Sequence, residues 1–185
     1  MQRDLVLRAR DGDHDAFTAL AADAVDRLHL TARLILRSDD LASDAVQEAL
    51  LAAWLHIRAV RDPERFDAWL HRLLVHACYR EARRVRHRGV VELHITAPDT
   101  AGDPDAQELT AVRDLLDRGF HRLTPEQRAV IVVHYYLGLP DAEAANVLDI
   151  ALGTFKSRLN RASAALRAAL DAEARTPTVR RESIA

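Results

Sequence analysis

Residues 141–167 read DAEAANVLDIALGTFKSRLNRASAALR, and this stretch decides the fold. Its spacing predicts a short helix to about Leu148, a tight turn, and a longer helix from Gly153 to about residue 172. Apolar residues of the second helix recur every three or four positions on one side: Phe155, Leu159, Ala162, Leu166 and Leu170. This arrangement predicts a helix-turn-helix. A plain helical hairpin with a solvated basic face remains open on the pattern alone.

The opposite side of the second helix is polar and basic. Small side chains near its start would let the helix enter a major groove closely, and Arg and Asn side chains can read base edges there. Lys and Ser side chains can hold phosphates. The candidate nucleic-acid contacts are Thr154, Lys156, Ser157, Arg158, Asn160 and Arg161.

The rest of the chain also shows helical periodicity, so the predicted fold class is all-α. Three helices are expected in the first half, over about 14–36, 39–57 and 63–88. Two more precede the helix-turn-helix: one opens at Asp103-Pro104, and one runs from the Thr124 capping box through Tyr136. Residues 89–104 lose the period and contain two glycines and two prolines, which is typical of a linker.

Charge is sorted into blocks, although the net charge of the 185 residues is only −2. Residues 71–88 carry six arginines and one glutamate, whereas residues 89–117 carry seven acidic residues and one arginine. Arg72, His76, Arg80 and Arg83 follow helical steps, so they share one face that can track a phosphate backbone. Nearby aromatic rings could stack unpaired bases. The alternative is that Phe66 and Trp69 are core residues, and for Trp69, which lies between apolar neighbours, it is the favoured interpretation.

A second candidate surface lies on the helix over 39–57. Acidic and polar side chains line up there with leucines: Asp44, Gln47, Glu48, Leu51 and Leu55. Acids beside exposed leucines suit docking onto a basic partner with an apolar centre. An ordinary solvated face is the alternative.

Other function classes are disfavoured by the composition. One cysteine, Cys78, excludes an intramolecular disulfide framework, and the nine histidines show no convincing metal-ligand spacing. No phosphate-binding loop and no pair of catalytic carboxylates stands out. We therefore expect no enzyme, no catalytic residue, no metal, no cofactor and no small-molecule substrate. Without an apolar run long enough for a bilayer, no membrane insertion is expected, and a cytoplasmic location is predicted.

Three blocks together resemble the extracytoplasmic-function (ECF) branch of the sigma-70 family of bacterial transcription initiation factors. Residues 38–57 resemble region 2.2, residues 61–84 resemble regions 2.3 and 2.4, and residues 123–167 resemble region 4. The stretch GTFKSRLNRA at 153–162 is especially similar to the family pattern. The resemblance implies region 2 over 1–88, an acidic linker over 89–104, region 4 over 105–172 and a disordered tail over 173–185.

The resemblance also implies roles for these residues. Family members bind core RNA polymerase through the β′ clamp helices and the β flap, and recognise the −10 and −35 elements of promoter DNA. The residues matching the docking motif are Asp44, Gln47, Glu48, Leu51 and Trp54. Those implied at the −10 element are Arg61, Phe66, Arg72, His76, Arg80, Arg83 and Arg84. The second helix of region 4 is implied to read the −35 element, and an anti-sigma factor is a further hypothetical partner.

Some positions depart from the family pattern. His76 stands where asparagine is common, Arg80 where aspartate is common, and Asp149 at a turn position often held by glycine. The main alternative is a helix-turn-helix regulator that binds DNA as a dimer without polymerase. An all-helical adaptor with no role on DNA is a second alternative.

Overall fold

The computed structural model describes residues 1–88 and 114–175, and all regular structure in these two ranges is helical. The first range holds four α-helices: α1 (Gln2–Arg10), α2 (His14–Leu36), α3 (Asp39–His56) and α4 (Phe66–Arg88). Helix α1 was not predicted. Its apolar residues span only two turns between charged side chains, so the periodicity is weak there.

Side-chain caps set the boundaries in this half. The Asp13 carboxylate accepts a hydrogen bond from the Ala16 N–H at 3.0 Å and begins α2. Ser38 begins α3 in the same way, accepting from the Leu41 N–H at 3.3 Å. A helix was predicted to start at Asp62-Pro63, and helical structure does begin there, but it is not yet α-helical. A short 3₁₀ turn, Pro63–Arg65, comes first, and α4 begins at Phe66.

The second range holds α5 (114–121), α6 (Pro125–Ile131), α7 (Asp141–Val147) and α8 (Leu152–Arg175). The capping box at Thr124 is confirmed, with both reciprocal hydrogen bonds present. The helix predicted through Tyr136 is continuous, but its last part, Val132–Tyr136, is π-helical and not α-helical. The linker over 89–104, the helix start at Asp103-Pro104 and the tail beyond residue 175 lie outside the described residues.

One apolar core extends through both ranges. Helix α4 packs against α3 on one side and against α6 and α7 on another, and α2 packs against both α3 and α6. Leu28, Leu74, Val133 and Phe155 belong to this core and are each at most 1% exposed. The two halves are therefore in direct contact.

Ion pairs also cross between the halves, and three of them join residues of the two described ranges. Arg37, at the end of α2, donates to both carboxylate oxygens of Asp117 in α5, and its distance to Oδ2 is 2.6 Å. Arg72 of α4 donates to Asp149 Oδ1 at 2.8 Å, and Arg86 lies 3.6 Å from Glu126. Because the Arg37 side chain is only 11% exposed, its pair is the best shielded of the three from solvent.

Candidate nucleic-acid interface

The helix-turn-helix forms as predicted between α7 and α8. Its tight turn places Asp149 at φ 55°, in the left-handed region that most side chains avoid and that Asp tolerates better. The Ile150 N–H closes the turn by donating to the Ala145 carbonyl at 3.0 Å. Phe155 then anchors α8, since its ring is 0% exposed. The start of α8 is thereby held at a fixed angle to α7.

The predicted reading face of α8 is open to solvent. Lys156, Ser157, Arg158, Asn160 and Arg161 are exposed, and Thr154 is half-buried. Two side chains bond to their own helix: the Ser157 hydroxyl donates to the Thr154 carbonyl at 2.9 Å, and Arg161 Nε donates to the Ser157 carbonyl at 3.2 Å. The Arg161 side chain is thus partly ordered before it meets any ligand.

The second basic face lies on α4. Arg72, Arg80, Arg83 and Arg84 are exposed there, and His76 is half-buried among them. Burial lowers the pKa of His76; the neighbouring arginines lower it further, while Asp149 acts in the opposite direction. The predicted stripe therefore forms one basic face, and Asp149 in the turn of the helix-turn-helix lies at its edge.

Several arginines of this surface are already paired. Arg72 bonds Asp149, Arg80 Nε donates to Glu48 Oε1 at 2.8 Å, and Arg84 bonds Glu81. Arg61 and Arg83 are exposed and have no ion pair within the described ranges. Arg61 and Arg83 are consequently the arginines most accessible to a phosphate in this conformation.

The aromatic residues of this region are less accessible than the predicted role requires. Phe66 is 2% exposed and lies in the core, 5.9 Å from the ring of Trp69. Its predicted contact with the −10 element requires the ring to leave this position and stays a prediction. Burial raises the pKa of Tyr79 to about 12, which is consistent with a hydroxyl enclosed by protein. The core interpretation of Trp69 agrees with its half-buried position against the core cluster.

The candidate docking face on α3 is exposed except at one carboxylate. Asp44 and Gln47 are exposed, and Leu51 and Leu55 are 58% and 66% exposed. Glu48 is half-buried against Arg80. Trp54 has a packing role, since its ring lies 4.4 Å from that of His14 and 5.0 Å from that of Phe17. An apolar pair flanked by acids therefore faces solvent, as the pattern predicts.

Two features were missed at the sequence level. Arg37 takes a left-handed conformation at the end of α2 and reaches across to Asp117 and His121, which no local pattern signals. Tyr135 and Tyr136 are 66% and 46% exposed at the end of the π-helical segment. The predicted helix through Tyr136 gave no indication that both rings would be exposed.

No metal-binding cluster of His, Cys, Asp or Glu occurs within residues 1–88 and 114–175. Across the same ranges, every helix is too short or too polar to cross a bilayer. Burial raises the pKa of Cys78 to about 12, so this thiol is unreactive near neutral pH.

Two helical halves, one with a helix-turn-helix and both with a basic face, define a sigma-70-type transcription initiation factor. The family model for sigma-70 region 2 matches residues 20–88, and that for sigma-70 region 4 matches residues 113–166. The ECF RNA polymerase sigma factor SigM of Mycobacterium tuberculosis is 37% identical over 155 residues, which cover 84% of this chain and 77% of that protein. The chain belongs to the ECF RNA polymerase sigma factors.

Solved structures agree with this assignment. The sigma factor RpoE of Bartonella quintana, in complex with the anti-sigma factor NepR, matches with a TM-score of 0.66 and 27% identity over 84% of this chain and 96% of that one. The structure of CnrH, a sigma factor of Cupriavidus metallidurans, was determined in complex with the cytosolic domain of CnrY. It matches with a TM-score of 0.63 and 29% identity, over 93% of this chain and 98% of that one. The chain therefore acts in transcription initiation, with core RNA polymerase and promoter DNA as its partners. The polymerase-independent regulator and the adaptor are set aside.

Proposed function

We propose that three surfaces divide this work among them. The acidic and leucine face of α3 docks on the β′ clamp helices through Asp44, Gln47, Glu48 and Leu51. The basic face of α4, with Arg61 beside it, holds the −10 element, and the start of α8 reads the −35 element. The observation that carries this proposal is that each of the three surfaces presents exposed side chains and that they lie on separate helices, α3, α4 and α8.

The division into domains follows from the same surfaces. We assign residues 1–88 to region 2, 89–104 to the linker and 105–172 to region 4. Each half then brings one modest DNA site, and polymerase holds both on one body. Such linkage raises the effective concentration of the second site, so neither half has to bind DNA tightly alone. This accounts for promoter specificity in a chain whose net charge is −2.

The chemistry of transcription is left to the polymerase. We propose that the chain itself forms and breaks no covalent bond and works in the cytoplasm. Opening of the −10 element requires only capture of an unstacked base, which costs a few kcal/mol and is offset by phosphate and stacking contacts.

A protein inhibitor is a further proposed partner. The structures of the two relatives were determined in complex with an anti-sigma factor and with the cytosolic domain of CnrY. The leucines of the α3 face offer an apolar docking point to such a partner. Tagged chain purified from its own cells should carry a stoichiometric inhibitor, whose addition abolishes transcription in vitro. Fully active chain from the same cells would contradict this.

Run-off transcription with core polymerase on a promoter library tests the main proposal. We expect transcripts that depend on the chain and share two upstream motifs. The matched variant is K156A/R158A/R161A, which should still bind polymerase but lose the upstream −35 motif from the selected set. Failure of the wild-type chain to bind core polymerase would overturn the proposal.

A further inference from the structure

The pair formed by Arg80 and Glu48 joins two surfaces that the proposed function keeps separate. Arg80 lies on the basic face of α4, and Glu48 lies on the docking face of α3. Arg80 Nε donates to Glu48 Oε1 at 2.8 Å, with 45% of the arginine side chain and 31% of the glutamate side chain exposed. The two groups are 32 residues apart in the chain, so the packing of α3 against α4 brings them together.

This pair leaves the Glu48 carboxylate incompletely satisfied. The other oxygen of Glu48, Oε2, is buried and has no hydrogen-bond donor in the described part of the chain. A buried carboxylate oxygen without a donor is unfavourable, so the conformation that meets Arg80 has a built-in cost. A rotamer that turns the carboxylate outward towards a cationic partner relieves that cost. The pair is therefore suited to breaking when a better donor arrives.

Breaking the pair changes the charge of the DNA-facing surface. While Glu48 is bonded, it neutralises the Arg80 guanidinium and places a carboxylate beside the −10 face. When Glu48 leaves, the positive charge of Arg80 is no longer offset by a carboxylate, and it lies on the same side of α4 as His76 and Arg83. One more phosphate can then be held, and a repelling carboxylate has gone.

We propose that Glu48 and Arg80 form an exchange switch that couples polymerase docking to capture of the −10 element. In the free chain Glu48 occupies Arg80. A basic group on polymerase takes the Glu48 carboxylate and releases Arg80 to a DNA phosphate. This inference rests on the proposed docking role of Glu48, and it assigns to Arg80 a function that depends on the state of the docking face.

The test measures binding of the full chain, without polymerase, to a labelled pool of random-sequence single-stranded DNA 20 nucleotides long. E48Q should tighten binding at least threefold and steepen the dependence on salt by about 0.7 in the log–log slope, the value for one extra phosphate contact. The matched control is Asp40→Asn, which removes an exposed carboxylate two turns earlier on α3. It should leave the slope unchanged. In an R80Q background, E48Q should no longer change the DNA affinity or its salt slope.

Polymerase binding supplies the second readout. E48Q should weaken binding to core polymerase, whereas R80Q should leave it unchanged or tighten it, because Glu48 is then free. If Arg80 merely positioned Glu48, R80Q would weaken polymerase binding as much as E48Q does, and that result would overturn the proposal. Equal salt slopes for E48Q and Asp40→Asn would also overturn it. Thermal unfolding of each variant, with the charge-swapped E48R/R80E chain for comparison, verifies that the fold is intact.

The two levels of proposal can fail separately. Wild-type chain that does not bind core polymerase overturns the docking role and the switch together. Wild-type chain that binds and initiates, while E48Q behaves on single-stranded DNA like Asp40→Asn, overturns the switch alone.

Discussion

We expect the exposed side chains at the start of α8 to make different contributions to promoter binding. Lys156 carries a point charge on a flexible side chain that suits phosphate, so K156A should lower the affinity for all promoters by a similar factor. Arg158 and Arg161 each present a planar guanidinium that can donate two hydrogen bonds to one guanine edge. R158A or R161A should therefore weaken binding by about 1–3 kcal/mol at promoters with the preferred base, and by little at other promoters. Affinities of the holoenzyme for promoters with single substitutions in the −35 element measure this.

Arg167 provides the control for these variants. It is exposed on the same helix, two to three turns further on, and its removal lowers the charge of α8 equally. R167A should leave the ranking of −35 bases unchanged. A uniform loss of affinity in all four variants would refute the division between phosphate and base contacts.

His71 links folding stability to pH. Burial lowers its pKa, while the ring donates from Nδ1 to the Asp67 carbonyl at 2.8 Å. The unfolded chain therefore binds a proton at pH values where the folded chain does not, and stability falls as pH drops below about 6.5. H71N keeps a donor for the Asp67 carbonyl but cannot titrate, so it should reduce the loss of stability as the pH falls below about 6.5.

Urea unfolding of H71N and wild type at several pH values measures this difference. The predicted maximum slope for one proton is about 1.4 kcal/mol per pH unit. His87, exposed near the end of α4, gives the variant H87N as a control for the loss of a histidine as such. Parallel pH profiles for H71N and wild type would rule out His71 as the source.

At the scale of the elements, most helices could be predicted because their signals are local. Ser38 and Thr124 cap as their sequence context indicates, and the apolar spacing of α2 identifies its buried face. The π-helical segment over Val132–Tyr136 could not be predicted. Its residues suit an α-helix equally well, and the choice between the two hydrogen-bond patterns depends on packing against the other half. Helix α1 lacked the length that makes periodicity readable.

The capping box of α6 has a measurable contribution. Thr124 Oγ1 accepts from the Gln127 N–H at 3.2 Å, and Gln127 Oε1 accepts from the Thr124 N–H at 2.9 Å. T124A removes the first of these bonds and should lower the free energy of unfolding by about 1 kcal/mol. T124S keeps the hydroxyl and should lower the free energy of unfolding much less. Denaturant titration of both variants compares them, and equal losses would assign the effect to the threonine methyl group instead.

For the whole molecule, the sequence predicted two helical units but not how they meet. Periodicity shows that a face of α2 or α4 is buried without showing which element covers it. Arg37 and Asp117 are 80 residues apart, and their pairing depends on the complete fold. The candidate surfaces were predictable because they consist of exposed residues on single helices. The Glu48–Arg80 pair was not, although each residue had been singled out.

The contact between the halves conflicts with simultaneous reading of both promoter elements. Elements centred near −35 and −10 lie about 25 base pairs apart, which is about 85 Å along the helix at 3.4 Å per base pair. Here Arg72 of the proposed −10 face bonds Asp149 in the turn of the helix-turn-helix at 2.8 Å, so the two proposed reading surfaces adjoin each other. We therefore predict that the halves separate before one molecule engages both elements.

Energy transfer between two dyes would detect this separation. Ala22 on α2 and Ala168 on α8 are exposed and lie outside the proposed surfaces, so A22C/A168C provides the labelling sites. Cys78 does not compete for the dyes, because it is buried and its pKa is raised to about 12. Transfer should be high in the free chain and fall when core polymerase and promoter are added. Unchanged transfer in an active initiation complex would contradict separation.

The Arg37–Asp117 pair should bias this equilibrium in the free chain. Its hydrogen bonds lower the pKa of Asp117, so the carboxylate stays charged at neutral pH and the pair weakens only in acid, as Asp117 becomes protonated below its ordinary value. D117N keeps the size of the side chain but removes the charge. It should lower energy transfer in the labelled free chain at neutral pH without altering the value in the promoter complex. Asp114→Asn, an exposed change one turn earlier on α5, is the control. If both variants shift transfer equally, the closed arrangement depends on the shared apolar core rather than on this ion pair.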